Sequence, residues 1–316
     1  MSSDRQPAGT GFAIRDPLSW TDLSAIVSSA EQAGYRALFL PEILGRDALV
    51  TLGALAGETR ALQLGTGVIP MRSRTPRLTA MAAATVHERS GGRLILGIGT
   101  GGSGRGALDA LRATVTEVRA LLAGEPDEEG AQLSLDPGKP TPIWVAALGP
   151  RAMRLAGEIA DGVILNMCTP ERIPFARARI AEGADASGRD PSQVAVSVYV
   201  RSWVGGDERV GGDETQAISA LKAVAGQYAS YVSYRRQFDE MGLGPQASVA
   251  GQAYRAGRPE DVPEVLVRTV CAVGDEARAH VETFREAGAD LPIVYPVATA
   301  DVAASIRGTL MALAPS

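Results

Sequence analysis

Residues 92–104 read GRLILGIGTGGSG, in which an apolar run from Leu94 to Ile98 empties into five glycines within eight residues. A short apolar run closed by glycines is the pattern of a buried parallel strand that delivers bare backbone to a ligand, because glycine places no Cβ in the way. The glycines satisfy G-x-G-x-x-G twice, as Gly97-Gly99-Gly102 and as Gly99-Gly101-Gly104. A dinucleotide-binding turn needs a second strand ending in an acidic residue about twenty residues on. The next stretch, 108–122, has helical spacing instead, with Leu111, Val115, Val118 and Leu122 on its inner face. The glycine-ended strand is therefore one of several, and its neighbours decide the fold.

On either side, short apolar runs alternate with amphipathic stretches, the signature of βα units on a parallel sheet. Eight such runs occur, at 11–14, 37–40, 62–69, 94–98, 143–147, 162–166, 194–201 and 291–295. Helices are expected at 19–33, 47–58, 76–90, 108–122, 151–160, 173–183 and 275–287. Asp47 is the expected N-cap of the second, and Leu78, Met81, Ala82, Thr85 and Val86 the buried stripe of the third. Residues 205–274 are too long for a loop and read as helices, including 217–241 and 261–270. The pattern fits a single (β/α)8 TIM-barrel domain over 1–316, with 205–274 as a helical insert between strand seven and the last helix, over the C-terminal mouth. A doubly wound sheet followed by a helical domain is the alternative.

The net charge of −5 and a pI near 5.3 leave no broad basic face for nucleic acid. No run of eighteen apolar residues points to a membrane, residues 1–10 lack a signal-peptide core, and the isolated Cys168 and Cys271 suit a reducing compartment. A cytoplasmic protein is expected. Lys139 and Lys222 are the only lysines; the reliance on arginine, with much Ala, Gly and Pro, points to a GC-rich bacterial genome of actinobacterial type.

Elimination narrows the chemistry. His87 and His280 are the two histidines, too few at strand ends for a metal hydrolase, so no metal is expected. Neither lysine ends a strand, where a Schiff base would need it. Ser103 misses the nucleophile-elbow pattern because Arg105 stands where glycine is required. What remains at the strand ends is Arg15-Asp16, Glu42, Gly67-Val68, Thr100-Gly101-Gly102, Ala147-Leu148-Gly149, Asn166, Arg201 and Tyr295. Such a set suits a large anionic cofactor that carries the hard chemistry itself. Each residue also has a plainer part to play: Glu42 suits a helix start, Asn166 a cap, and Arg72, Arg74 and Arg77 a solvated loop.

Four stretches, GRDALVTLGALAGETRALQLGTGVIPMRSRTP, AMAAATVHERSGGRLILGIGTG, PIWVAALGPRAMRLAGEIADGVILN and AGADLPIVYP, resemble the bacterial luciferase-like superfamily. More narrowly they are similar to its coenzyme F420 (deazaflavin)-dependent oxidoreductase branch. The resemblance implies a TIM barrel with the cofactor ring across the C-terminal mouth and a non-proline cis peptide at Gly67-Val68. It further implies that Thr66, Gly67, Val68, Thr100, Gly101 and Asn166 border the cofactor, and that Ala147-Leu148-Gly149 binds its phosphate with the following helix start, a role that backbone amides permit. A homodimer is implied as well.

Sugar-phosphate dehydrogenases of this branch carry a histidine after the acidic residue of strand two and an acidic residue after the Gly-Thr-Gly of strand four. Ile43 and Gly102 hold those places here, leaving Glu42, the substrate or water to move the proton. The expected function is hydride transfer between reduced F420 and an unsaturated small molecule, with Glu42 as catalytic residue, Arg15, Arg201 and Tyr295 at the substrate, and a separate reductase supplying reduced cofactor. One alternative is an FMN-dependent monooxygenase using reduced flavin and O2, and another a barrel that only binds flavin or deazaflavin. Tyr228, Tyr231 and Tyr234, with Arg235 and Arg236, either line an aromatic pocket or pack helices.

Overall fold

Ser19, Asp47, Thr75, Asp213 and Asp301 each stand just before a helix and accept a backbone N–H from its first turn, which starts these helices where the sequence places them. The computed structural model describes residues 9–15, 18–102, 104–135, 138–205 and 213–315. In chain order, β1 (Gly11–Ala13) leads to α1 (Trp20–Gln32), β2 (Ala37–Leu40) to α2 (Ala48–Leu55), and β3 (Gln63–Thr66) with β4 (Ile69–Pro70) to α3 (Pro76–Arg89). Then β5 (Leu94–Gly99) leads to α4 (Ala107–Leu122), β6 (Ile143–Ala146) to α5 (Pro150–Ile159), and β7 (Gly162–Asn166) to α6 (Arg172–Ala186). After β8 (Ala195–Trp203) come α7 (Glu214–Ser230), α8 (Val232–Glu240), α9 (Gly244–Arg255) and α10 (Glu264–Val270). The order ends with β9 (Cys271–Val273), α11 (Ala277–Glu286), β10 (Leu291–Pro296) and α12 (Val302–Ala312).

The strands pair in the order β10-β1-β2-β3-β5-β6-β7-β8, and β10 also pairs with β8, so the hydrogen-bonded circuit closes into the eight-stranded parallel barrel of a TIM fold. Two compact units share the chain. One comprises Arg36–Ile164 with Ala178–Ala195; the other comprises Gly9–Tyr35, Leu165–Arg177 and the chain from Val196 onward.

In the first unit β5 lies between β3 and β6, with Leu64 opposite Leu94 and Gly97 opposite Trp144. Its strands are buried almost throughout, which is why they read as unbroken apolar runs. Helix α3 corrects the expected stripe: Thr79, Ala80, Ala83, Val86 and His87 are buried, while Leu78 and Met81 are 48% and 51% exposed. An alanine-rich helix offers small residues on several sides, and here they form the close-packed face. On α4, Leu121 takes the inner position expected of Leu122.

His87 is buried, and that burial holds its imidazole below the ordinary value of 6.5. His280, half-buried on α11, is lowered for the same reason. A lowered histidine leaves the native state reluctant to take a proton that the unfolded chain accepts, so stability is full above about pH 6.5 and falls on acidification. Urea unfolding midpoints are expected to be level from pH 8 to 7 and lower at pH 5.5, with the decline reduced in His87→Gln; equal declines would assign it elsewhere.

In the second unit β8 is buried along all nine residues and pairs with β10 on one side and β9 on the other. That register sets Arg201 opposite both Tyr295 and Cys271. The insert corrects the expected 217–241 helix: Tyr231 adopts extended backbone (φ −86°, ψ 133°) and separates α7 from α8. Helices α9 and α12 and strand β9 were not foreseen, α9 because its small residues carry little periodicity. Ala217, Leu221, Ala225, Phe238, Ala250 and Leu266 make its core. Among the described residues no helix is long and apolar enough to cross a membrane.

Candidate functional site

The first unit brings the ends of β2, β3, β4, β5 and β6 side by side. Thr66 is fully buried, and its hydroxyl donates to Gly97 O and accepts from Gly97 N, both at 2.8 Å, so it ties β3 to β5 and presents no atom to a ligand. The Gly67–Val68 peptide is cis. Gly67 N donates to Leu40 O at 2.8 Å and Glu42 N donates to Val68 O at 3.3 Å, so the β2 end holds the bulge on both sides.

Glu42 braces the same loop through its side chain. The carboxylate, 12% exposed, accepts from Arg74 Nε at 3.0 and 3.2 Å and from Ser73 Oγ at 3.1 Å. Arg74 also pairs with Asp47, the N-cap of α2, and Arg77 pairs with Asp127 and Glu129. Two of the three arginines are thus committed to carboxylates, where the sequence suited all three to solvating a loop. Arg72 is exposed and lies over the glycine loop, where a Cβ on Gly104 would sit 3.7 Å from its Nη2.

At the end of β5 the backbone stays bare by necessity. A Cβ on Gly99 would lie 2.6 Å from Val68 Cγ2, and one on Gly101, whose φ is +64°, would lie 2.8 Å from Pro70 Cβ. Thr100 is half-buried and Gly101 exposed. Next to it β6 is followed by buried Ala147 and half-buried Leu148 and Gly149. Gly149 is the N-cap of α5 and provides no side-chain cap, and the first turn holds no acidic residue. Its amides and dipole therefore suit an anion.

The second unit assembles a different cluster. Asn166, at the end of β7, donates through Nδ2 to Tyr234 Oη at 2.9 Å. The Tyr234 and Tyr228 rings stand 4.6 Å apart, and Tyr228 Oη accepts from Arg201 Nη2 at 2.9 Å. The Arg201 guanidinium lies 3.6 Å from the Tyr295 ring centroid. Burial pushes the Tyr295 phenol up to about 12 against the opposing pull of Arg201, and pushes the Cys271 thiol to about 12 in the same way. Burial also opposes the Arg201 charge, while the phenols of Tyr228 and Tyr295 favour it; the balance keeps the guanidinium protonated. Arg15 is exposed and near enough to Tyr295 to lower its pKa.

Sequence reasoning missed Gln237. It is buried on α8 and donates from Nε2 to Asn166 O at 2.9 Å and Met167 O at 2.8 Å, spanning a residue with φ of +51°. The only signal was an amide in a short helix, where an exposed position is the default. Ser103 lies outside the described residues. Among the described residues no three His, Cys, Asp or Glu side chains gather as a metal site.

The model of the family described as luciferase-like monooxygenase matches residues 4–291. The chain belongs to the luciferase-like monooxygenase family. Within it, the chain is 34% identical over 209 residues to 5,10-methylenetetrahydromethanopterin reductase of Methanolobus tindarius, covering 60% of this chain and 63% of that one. It is 31% identical over 226 residues to F420-dependent glucose-6-phosphate dehydrogenase of Beutenbergia cavernae, covering 60% and 64%. In both cases the chain spans less than two thirds of the relative's length. Among solved structures, an F420-dependent secondary alcohol dehydrogenase in complex with an F420-acetone adduct superposes with a TM-score of 0.76 at 18% identity, covering 96% of this chain and 97% of that one. That likeness shows the fold this luciferase-like chain shares.

Proposed function

We propose that the chain is an oxidoreductase that passes a hydride between reduced deazaflavin, coenzyme F420, and an unsaturated bond of a small molecule. The carrying observation is the bare backbone of Gly99, Thr100 and Gly101, walled by Val68 and Pro70 and adjoining the uncapped start of α5. Relatives named for F420 support the choice of cofactor. Val68, Gly99, Thr100 and Gly101 would hold the ring and its side chain, and Gly149 with the first turn of α5 the phosphate. When bound, deazaflavin supplies the hydride and reacts little with oxygen.

The protein's own task is alignment and exclusion of water. Glu42 acts through the bulge it braces, as a positioning residue, and the proton comes from substrate or water. Fluorescence titration of the purified chain with F420 and with FMN tests the reading. Saturable F420 quenching is expected, with FMN at least about tenfold weaker. Tight binding of FMN alone would overturn it in favour of oxygen chemistry with a partner reductase; tight F420 binding without turnover of any acceptor would leave a carrier.

A further inference from the structure

We infer that the substrate of this chain carries a carboxylate, received by Arg201 within the cage formed by Tyr228 and Tyr295. The inference deepens the oxidoreductase reading and rests on it for the reaction, but the binding stands on the second unit alone.

Arg201 is 6% exposed, and among the described residues no carboxylate lies within ion-pair distance of it. Arg172, 4% exposed, is the contrast: Glu240 meets it at 2.6 Å. Among the described residues, then, one buried guanidinium has a counter-charge and the other has none. Leaving a buried cation without an anion is costly, and the faces of Tyr295 and Tyr228, at 3.6 and 5.5 Å, offset only part of that cost.

Hydrogen bonding is incomplete in the same place. Arg201 Nε is buried with no acceptor, although Nη2 on the same edge donates to Tyr228. Nε–H and the second hydrogen of Nη2 are the pair that matches two coplanar carboxylate oxygens. Tyr228 Oη, already an acceptor from Arg201, keeps its own proton to donate to the same group. At the other end of the chain of contacts, Asn166 Oδ1 is a buried acceptor without a donor. Between these two unpaired atoms stand the rings of Tyr228 and Tyr234, with Tyr231 6.2 and 6.4 Å from them, a surface for a flat apolar body. Arg201 is the buried cation of the cage, while Arg15, near Tyr295, is exposed to water; a phosphate dianion would bury surplus negative charge beside Arg201, so a carboxylate fits better.

The test uses benzoate, its neutral counterpart benzamide, and phenylphosphonate, titrated calorimetrically into the full chain. Wild-type protein, Arg201→Lys, Arg201→Met and Tyr228→Phe are compared, with F420 titrated in parallel and circular dichroism melts as the folding control. Benzoate is expected to saturate and benzamide to bind at least about tenfold more weakly. Arg201→Met should weaken benzoate by about thirtyfold or more and Arg201→Lys by about fivefold, while F420 affinity stays within about twofold. Tyr228→Phe, which keeps the ring and removes the hydroxyl, should weaken benzoate by about threefold and so keeps the test open if Arg201→Met fails to fold. Equal binding of benzoate and benzamide, unchanged benzoate affinity in the folded Arg201 variants, phenylphosphonate binding in place of benzoate, or no benzoate binding would each overturn the inference. Should F420 fail to bind while the benzoate pattern holds, the cofactor reading falls and the carboxylate site stands.

Discussion

Gly97→Ala is expected to destabilise the protein by about 3 kcal/mol or more, enough to remove much of the margin by which a domain stays folded. The added methyl carbon would lie 2.0 Å from Thr66 O and 3.3 Å from Ile164 Cδ1. The obstruction is backbone, so no side-chain rotation relieves it. Thr66 is clamped to Gly97 by two hydrogen bonds of 2.8 Å, and the β3–β5 pairing next to them carries the Gly67–Val68 bulge and the bare end of β5. Damage is therefore expected in the floor of the proposed cofactor site as well as in stability. Urea unfolding followed by far-UV circular dichroism measures it. A loss below about 1 kcal/mol would mean that the two strands separate freely, contrary to the packing described.

Arg93→Met is expected to cost about 3 kcal/mol, an unusual size for a half-buried arginine. Arg93 opens the decisive stretch, and its guanidinium donates to five acceptors: Ser90 O, Thr59 Oγ1, Leu62 O, Ala56 O and Thr59 O, at 2.6 to 3.1 Å. All five N–H groups of the planar fork are used, and they join the end of α2, the 59–62 turn and the end of α3 at the start of β5. Methionine keeps much of the stem and leaves four backbone carbonyls without this donor. Arg93→Lys offers three donors from a point charge, so it should recover less than half of the loss. Equal stability of Arg93→Lys and wild type, again by urea unfolding, would show that the charge alone mattered.

Arg93 and Gly97 both lie in the stretch 92–104, yet the partners of neither are written there. The strands were legible because a barrel strand buried on both faces must be apolar along its length: residues 37–40 and 162–166 are β2 and β7 to the residue. Helix starts were legible because a cap bonds within three residues, as Asp47 does to Val50 N at 2.9 Å. The buried face of α3 and the break at Tyr231 were not, since the first depends on which neighbour the helix meets and the second on packing within the insert.

At the candidate site the division is the same. Local composition alone determined that strand ends would carry glycine, backbone amides and arginine, and that metal, Schiff-base and nucleophile-elbow chemistry were poorly supplied. Only the tertiary structure decided what each polar group does: Glu42 and Arg74, 32 residues apart, neutralise each other, whereas Arg201 meets Tyr228, 27 residues on, and no carboxylate among the described residues. A cap or an apolar period is written over a few neighbouring residues and needs nothing else. Whether a buried charge finds its counter-ion within the chain or is left for a ligand depends on which distant segments the barrel brings together, and no local pattern encodes that choice.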